Sequence, residues 1–213
     1  ACSYASSDQD CSLSGQTCNQ GACTGPSRFC RVQFPAAITD VPATTQTVYA
    51  RIFVQGVTDQ SGGNDPQPTI QVELGLGTGT DPTQFTYTAA TPNAAYGPSS
   101  PGYEANNDEY QGTFVVPSAV GTTQSYAMRL SDDAGATWLY CDTGNAGSSD
   151  GFANPGVLDI AAPYFSEYVE GSSANKAIEI YNLVSVPFSL TGCKIQVLAN
   201  GNTTSSDTTI TGT

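Results

Sequence analysis

The chain has 213 residues with 19 acidic against 6 basic side chains, a formal charge of -13, no histidine and seven cysteines. Charged residues make up 12%, where about a quarter is usual, so solubility rests on Ser, Thr, Asn, Gln and Gly, a surface common in secreted β proteins. The charge balance argues against nucleic acid or anionic membrane as partner, and the missing histidine removes Ser-His-Asp and Cys-His nucleophiles and His-ligated zinc, which leaves carboxylate, Lys or Tyr chemistry.

Residues 1–29 hold Cys2, Cys11, Cys18 and Cys23 but almost no apolar side chains beyond Tyr4 and Leu13. Ordering entropy there must be offset by cross-links. The spacing contains no C-x2-C pair, so disulfides among these four are favoured over zinc, and three pairings are open. Asp10-Cys11, Gly15-Gln16-Thr17-Cys18 and Gly21-Ala22-Cys23 resemble the small Cys-rich modules of exported bacterial surface proteins. Cysteine usage points to an oxidising compartment. No stretch approaches the ~20 apolar residues of a membrane span, and no leader opens the chain. The expectation is a mature exported protein, at the cell surface or outside the cell, whose leader is absent.

Residues 30–160 read as an all-β sandwich or barrel. In VYARIFV, Val48, Ala50, Ile52 and Val54 share one face and Tyr49, Arg51 and Phe53 the other. Similar runs recur at 69–76, 84–89, 109–116, 124–130 and 137–141, separated by turn material such as Gly62-Gly63-Asn64-Asp65-Pro66. The run from Pro92 to Asn107, with Tyr96, Tyr103 and Glu104, is a long insertion expected to be an ordered surface loop. Arg28, Arg31, Arg51 and Arg129 are scattered along the chain, so no arginine cluster is expected.

Ser131-Asp132-Asp133-Ala134-Gly135-Ala136-Thr137-Trp138 fits S-x-D-x-G-x-T-W and resembles the Asp-box of sialidases and other extracellular β proteins. It predicts a hairpin in which Asp133 bonds backbone N–H groups, Gly135 takes positive φ and Trp138 packs beneath. Cys30, expected just before the first strands, and Cys141 are predicted to form a disulfide, with a free buried thiol as the alternative. No metal or cofactor is expected; among the acidic clusters, the loop with Asp142, Asn145 and Asp150 is the one that best suits calcium. Glu167, Glu170 and Glu179 are the carboxylates that could in principle serve glycoside hydrolysis, though no spacing sets them across a cleft.

Residues 161–213 form a second β unit, with strands expected at 164–169, 177–181 and 193–198 and a hairpin turn at Asn200-Gly201. The segment YFSEYVEGSSANKAIEIYNLVSVPFSLTGCKIQVLANG at 164–201 resembles the start of a lamin-tail-type immunoglobulin-like domain, carrying Ser166, Glu167, Lys176, Glu179 and Asn182 at the family's positions. The resemblance implies a non-catalytic attachment; we read Lys176 and Glu179 as a pair near the turn and Asn182 as an end-of-strand cap. About 53 residues follow residue 160, half an immunoglobulin-like domain of roughly 100. The unit is therefore expected to be partial, with Cys193 as the odd, unpaired cysteine. Phe29-Cys30-Arg31-Val32-Gln33-Phe34-Pro35, Asn106-Asn107-Asp108-Glu109-Tyr110, Tyr126-Ala127-Met128-Arg129 and Trp138-Leu139-Tyr140-Cys141-Asp142 resemble an immunoglobulin-like module that precedes such domains in exported bacterial proteins.

The functional expectation is a non-catalytic surface or extracellular assembly protein with a protein partner or self-association, through β-sandwich surfaces and strand complementation. The alternatives are the accessory part of a larger secreted hydrolase, such as a nuclease, and a carbohydrate-binding module. The last needs exposed aromatics, and the Asp-box reading buries Trp138.

Overall fold

A computed structural model describes residues 16–19, 22–24, 27–172, 175–185, 187–198, 203 and 206–210. Its strands in chain order are β1 (Thr17–Asn19), β2 (Ala22–Thr24), β3 (Arg28–Phe34), β4 (Ala37–Asp40), β5 (Thr45–Val54), β6 (Gln71–Gly77), β7 (Thr86–Ala89) and β8 (Thr91–Pro92). They continue with β9 (Asp108–Val115), β10 (Thr122–Ser131), β11 (Leu139–Cys141), β12 (Gly156–Ile160), β13 (Tyr164–Glu170), β14 (Lys176–Tyr181), β15 (Lys194–Val197) and β16 (Ser206–Thr209). No α-helix occurs among the described residues. The chain divides into two compact units between Ile160 and Ala161.

In the first unit, a four-stranded sheet runs β3-β5-β9-β8, and a six-stranded sheet runs β4-β12-β10-β6-β7 with β11 beside β10. The period-two pattern of β5 is realised in full: Val48, Ala50, Ile52 and Val54 are all buried. They join Val32 in a core completed from the other sheet by Val72, Leu74, Tyr126, Met128, Leu130, Leu158 and Ile160. Two sheets thus pack their apolar inner faces against each other, a β-sandwich.

Several strands, β4 and β12 among them, escape the sequence pattern. β4 and β12 pair in parallel, Val157 with Ala37 through Ile160 with Asp40. Both are short, and β12 turns an apolar residue, Val157, outward beside the buried Leu158. Their place depends on a partner about 120 residues away along the chain, which local periodicity does not carry. Cys30 also differs from expectation: it lies inside β3, at the position opposite Ile52 of β5.

Cys30 and Cys141 are fully buried and joined by a disulfide, which ties the four-stranded sheet to β11 of the six-stranded one. In the N-terminal segment, β1 and β2 form a small antiparallel pair in which Cys18 stands opposite Cys23. Cys23 is disulfide-bonded. Cys2 and Cys11, and the side chain of Cys18, lie outside the described residues.

The second unit has two antiparallel pairs, β13 with β14 and β15 with β16. Every residue of β13 is exposed, and Ala161 is the one buried residue among those described in this unit. The expected Lys176 to Glu179 pair is replaced: Lys176 stands opposite Glu170 across the hairpin and pairs with it. Glu179 instead accepts a 2.7 Å bond from the Ser166 hydroxyl. Asn182 caps as expected, its Oδ1 accepting from Val184 N–H at 3.4 Å. Cys193 carries a free, partly exposed thiol. The Asn200-Gly201 turn lies outside the described residues.

Candidate functional site

The outer face of the four-stranded sheet is where charge and space meet. Arg31 of β3 stands directly opposite Arg51 of β5, and Arg51 directly opposite Glu109 of β9. The adjoining row is Phe34, Tyr49 and Gln111. Strand alternation alone would send Gln33 and Phe34 to opposite faces. A β-bulge between Val32 and Phe34 resets the register, and both side chains line the same cavity.

That cavity has a volume of about 600 Å³, within the range usual for small-ligand sites. Its floor is Arg31, Gln33, Phe34, Tyr49, Arg51 and Glu109, and its wall is the 93–102 part of the insertion. The insertion is an ordered loop, as expected, but it is not a plain one. Tyr96 is buried, its hydroxyl donating to Glu104 O at 3.0 Å and accepting from Glu104 N–H at 3.1 Å. Tyr103 donates to Gly62 O at 2.7 Å, and Gln33 Nε2 donates to Pro101 O at 2.6 Å. Gly102 is needed here, because it sits at φ 62° and a Cβ would come within 2.7 Å of Arg51 Nη2.

Arg51 is almost wholly covered, and its charge is met by Glu104 Oε1 at 2.9 Å and Gln33 Oε1 at 3.3 Å. The buried Glu109 carboxylate accepts from Asn93 Nδ2 at 2.5 Å. Arg31 is different. Its Nη1 donates to Asn145 Oδ1 at 3.3 Å, but its Nε is buried without a partner. Of the six basic side chains, Arg28, Arg51, Arg129, Lys176 and Lys194 have carboxylate partners; among the described residues Arg31 has none. The expectation of scattered arginines is corrected: folding brings two of the four side by side across β3 and β5.

The acidic loop weighed for calcium is held by the chain itself. Asp142 is fully buried, with Oδ1 accepting from Gly144 N–H at 2.9 Å and Oδ2 from Asn154 N–H at 2.6 Å. Asn145 Oδ1 is taken by Arg31. The side chain of Asp150 lies outside the described residues. No group of three His, Cys, Asp or Glu is arranged for a metal among the described residues. Glu167 and Glu179 are cross-strand neighbours on the exposed β13–β14 hairpin rather than groups facing across a cleft.

Beneath the insertion, Asp108 is fully buried and accepts from Asp65 N–H with both oxygens, at 3.0 and 3.1 Å. Burial pushes its carboxyl up to about 6; the Asp65 N–H offsets part of that, and the Asp65 charge adds to it. Tyr110, next on the same inner face, is pushed up to about 12 by burial and the Asp108 charge.

In the 131–138 turn Asp133 takes one backbone N–H, where several were expected, and two hydroxyls. Asp133 accepts from Thr137 N–H at 2.8 Å, the Thr137 hydroxyl at 2.7 Å and the Ser131 hydroxyl at 2.7 Å, while Ser131 Oγ accepts from Gly135 N–H at 2.8 Å. These bonds, the Thr137 hydroxyl first, hold the Asp133 carboxyl down at about 2. Gly135 sits at φ 91°. Trp138 departs from the reading that buried it. It is half-buried on the outer face of the six-stranded sheet, 3.9 Å from the Arg129 guanidinium, with Tyr87 at 3.9 Å on that same guanidinium. Tyr140 continues this stripe, near Tyr87 and Phe152.

Sequence reasoning missed the Arg31–Arg51–Glu109 row. The signal available was two arginines placed mid-strand in otherwise apolar runs, RVQF and YARIFV. The chain matches no known family model and no curated protein.

Proposed function

We propose that the chain is a non-catalytic recognition module of an exported cell-surface or extracellular protein, acting through the outer face of its β-sandwich. The observation that carries this reading is the preformed cavity over Arg31, Arg51 and Glu109, walled by a loop whose tyrosines and glycine are committed to holding it open. Side chains of this kind bind and orient a ligand: a guanidinium, amides and aromatic rings around a concave surface. A buried inter-sheet disulfide suits an oxidising compartment.

Within this reading, residues 30–160 are immunoglobulin-like and residues 161–213 part of a lamin-tail-type unit. The two-sheet core supports the first, and the β13–β14 hairpin the second. The apolar side chains that hairpin exposes, Tyr164, Phe165, Tyr168 and Val169, support assembly with a protein partner or a second copy. Such a module also suits the accessory region of a larger secreted hydrolase. Carbohydrate binding is a second reading, favoured by the half-buried Trp138 beside Tyr87 and Tyr140.

The test is a mixed array of peptides and glycans probed with the wild-type chain and with Tyr49→Ala and Trp138→Ala. Discrete ligands lost in Tyr49→Ala support the cavity. Ligands that are glycans and are lost only in Trp138→Ala favour the second reading. An array with no ligand sensitive to either substitution overturns the recognition role.

A further inference from the structure

We infer that the cavity takes a peptidic carboxylate: the free C-terminal end of a partner chain with an apolar last residue, its carboxylate on Arg31 and its side chain against Phe34 and Tyr49. This rests on the recognition reading above and names the ligand chemistry.

The argument starts from charge. In a chain with 19 acidic and 6 basic side chains, a cation lacking a carboxylate partner stands out, since acidic groups are abundant enough to supply one. Arg31 lacks one among the described residues, and it faces Arg51, a like charge directly opposite, which destabilises a strand pair. Arg51 is already neutralised by Glu104 and held by Gln33. Among the described residues Arg31 has only the Asn145 amide oxygen, and its buried Nε has no acceptor there. A buried donor left unsatisfied is destabilising. A carboxylate reaching a terminal nitrogen of Arg31 from the cavity would supply the counter-charge that it lacks. The planar fork of a guanidinium matches the two oxygens of a carboxylate.

The remaining walls choose what carries the carboxylate. Phe34 is 64% exposed, unusual for a phenylalanine, and with Tyr49, Ala95 and Pro101 it makes the apolar side of the cavity. Asn93 and Ser100 supply polar groups between the two sides. A volume of about 600 Å³ holds one or two residues of a peptide end. An acidic polysaccharide fits less well, because the -13 net charge repels each of its further carboxylates. A single terminal carboxylate on an apolar residue meets that repulsion once. Capture of a chain's terminal carboxylate is a known mode of peptide recognition.

The experiment is isothermal titration at pH 7 in low salt with N-acetyl-L-phenylalanine, its amide, and D-glucuronate. The acid is expected to bind at least tenfold more tightly than the amide. Arg31→Gln is expected to abolish that preference while leaving the melting temperature unchanged or raised, since the Arg31–Arg51 repulsion goes. Arg31→Lys, which keeps the charge but not the fork, is expected to retain part of the preference, and Phe34→Ser to weaken acid and amide alike. Equal binding of acid and amide, a preference that survives Arg31→Gln, or no binding of N-acetyl-L-phenylalanine overturns the inference. Binding of D-glucuronate alone reassigns the cavity to an acidic sugar and also overturns it. Array ligands that need Tyr49 but lack a free carboxylate would sink this inference and leave the recognition reading standing.

Discussion

Among the described residues Asp108 has no ion-pair partner, and its two oxygens share the Asp65 N–H. Its carboxyl ionises near pH 6 in the folded chain against about 4 when unfolded, so the folded state holds a proton through that window and the unfolded state does not. The Asp108 contribution is therefore most favourable below about pH 4, falls as pH rises to about 6, and is flat above it. The drop is about 3 kcal/mol. Asp108→Asn is expected to remove this segment, and urea unfolding of both proteins from pH 4 to 7 checks it; parallel curves would sink the idea. Asp133 works with the opposite sign. Its lowered carboxyl contributes stability above the ordinary carboxylate range that is lost as pH falls toward about 2. The Asp133 role was legible in its S-x-D-x-G-x-T spacing, because every partner lies within four residues. Asp108 was not, since its partner Asp65 is 43 residues away.

Elements show the same division. The core face of β5 could be read from alternation alone, since Val48, Ala50, Ile52 and Val54 are apolar and all buried. Its outward face could not, because Arg51 is covered by a loop more than forty residues later in the chain. On the other sheet, Gly75 of β6 lets the Tyr87 ring lie flat across the strand, and a Cβ there would come within 2.4 Å of the ring. Tyr87 and Trp138 then hold Arg129 between them, with Glu73 Oε2 accepting from Arg129 Nε at 2.8 Å and Nη2 at 2.5 Å. Gly75→Ala is expected to push Tyr87 off Arg129 and to destabilise by about 1–3 kcal/mol, the usual cost of overpacking. Trp138→Ala removes one face of the stack and costs about 1–2 kcal/mol. Thermal unfolding measures both. A wild-type melting temperature for Gly75→Ala would mean that the ring moves aside at no cost.

At the scale of the molecule, the Cys30–Cys141 bond joins residues 111 apart and links the two sheets of the sandwich. In the chain-entropy account, closing a loop of that length contributes about 4–5 kcal/mol. Replacing both cysteines by alanine should lower stability by that order in urea unfolding, and a loss under about 1 kcal/mol would show that the sheets hold each other without it. Because both sulfurs belong to fully buried residues, the native bond should resist reductant until the sandwich opens. Sequence by itself determined the all-β class, the inward face of β5 and the Ser131–Trp138 turn. Each depends on side chains that are neighbours along the chain, where period-two alternation and turn geometry are written locally. Tertiary structure alone decided the parallel pairing of β4 with β12, the meeting of Arg31, Arg51 and Glu109, and the placing of Trp138 on Arg129 rather than in the core. Those depend on strand register and on a bulge, and register is set by how two sheets bury their apolar faces together, a condition that no single segment carries.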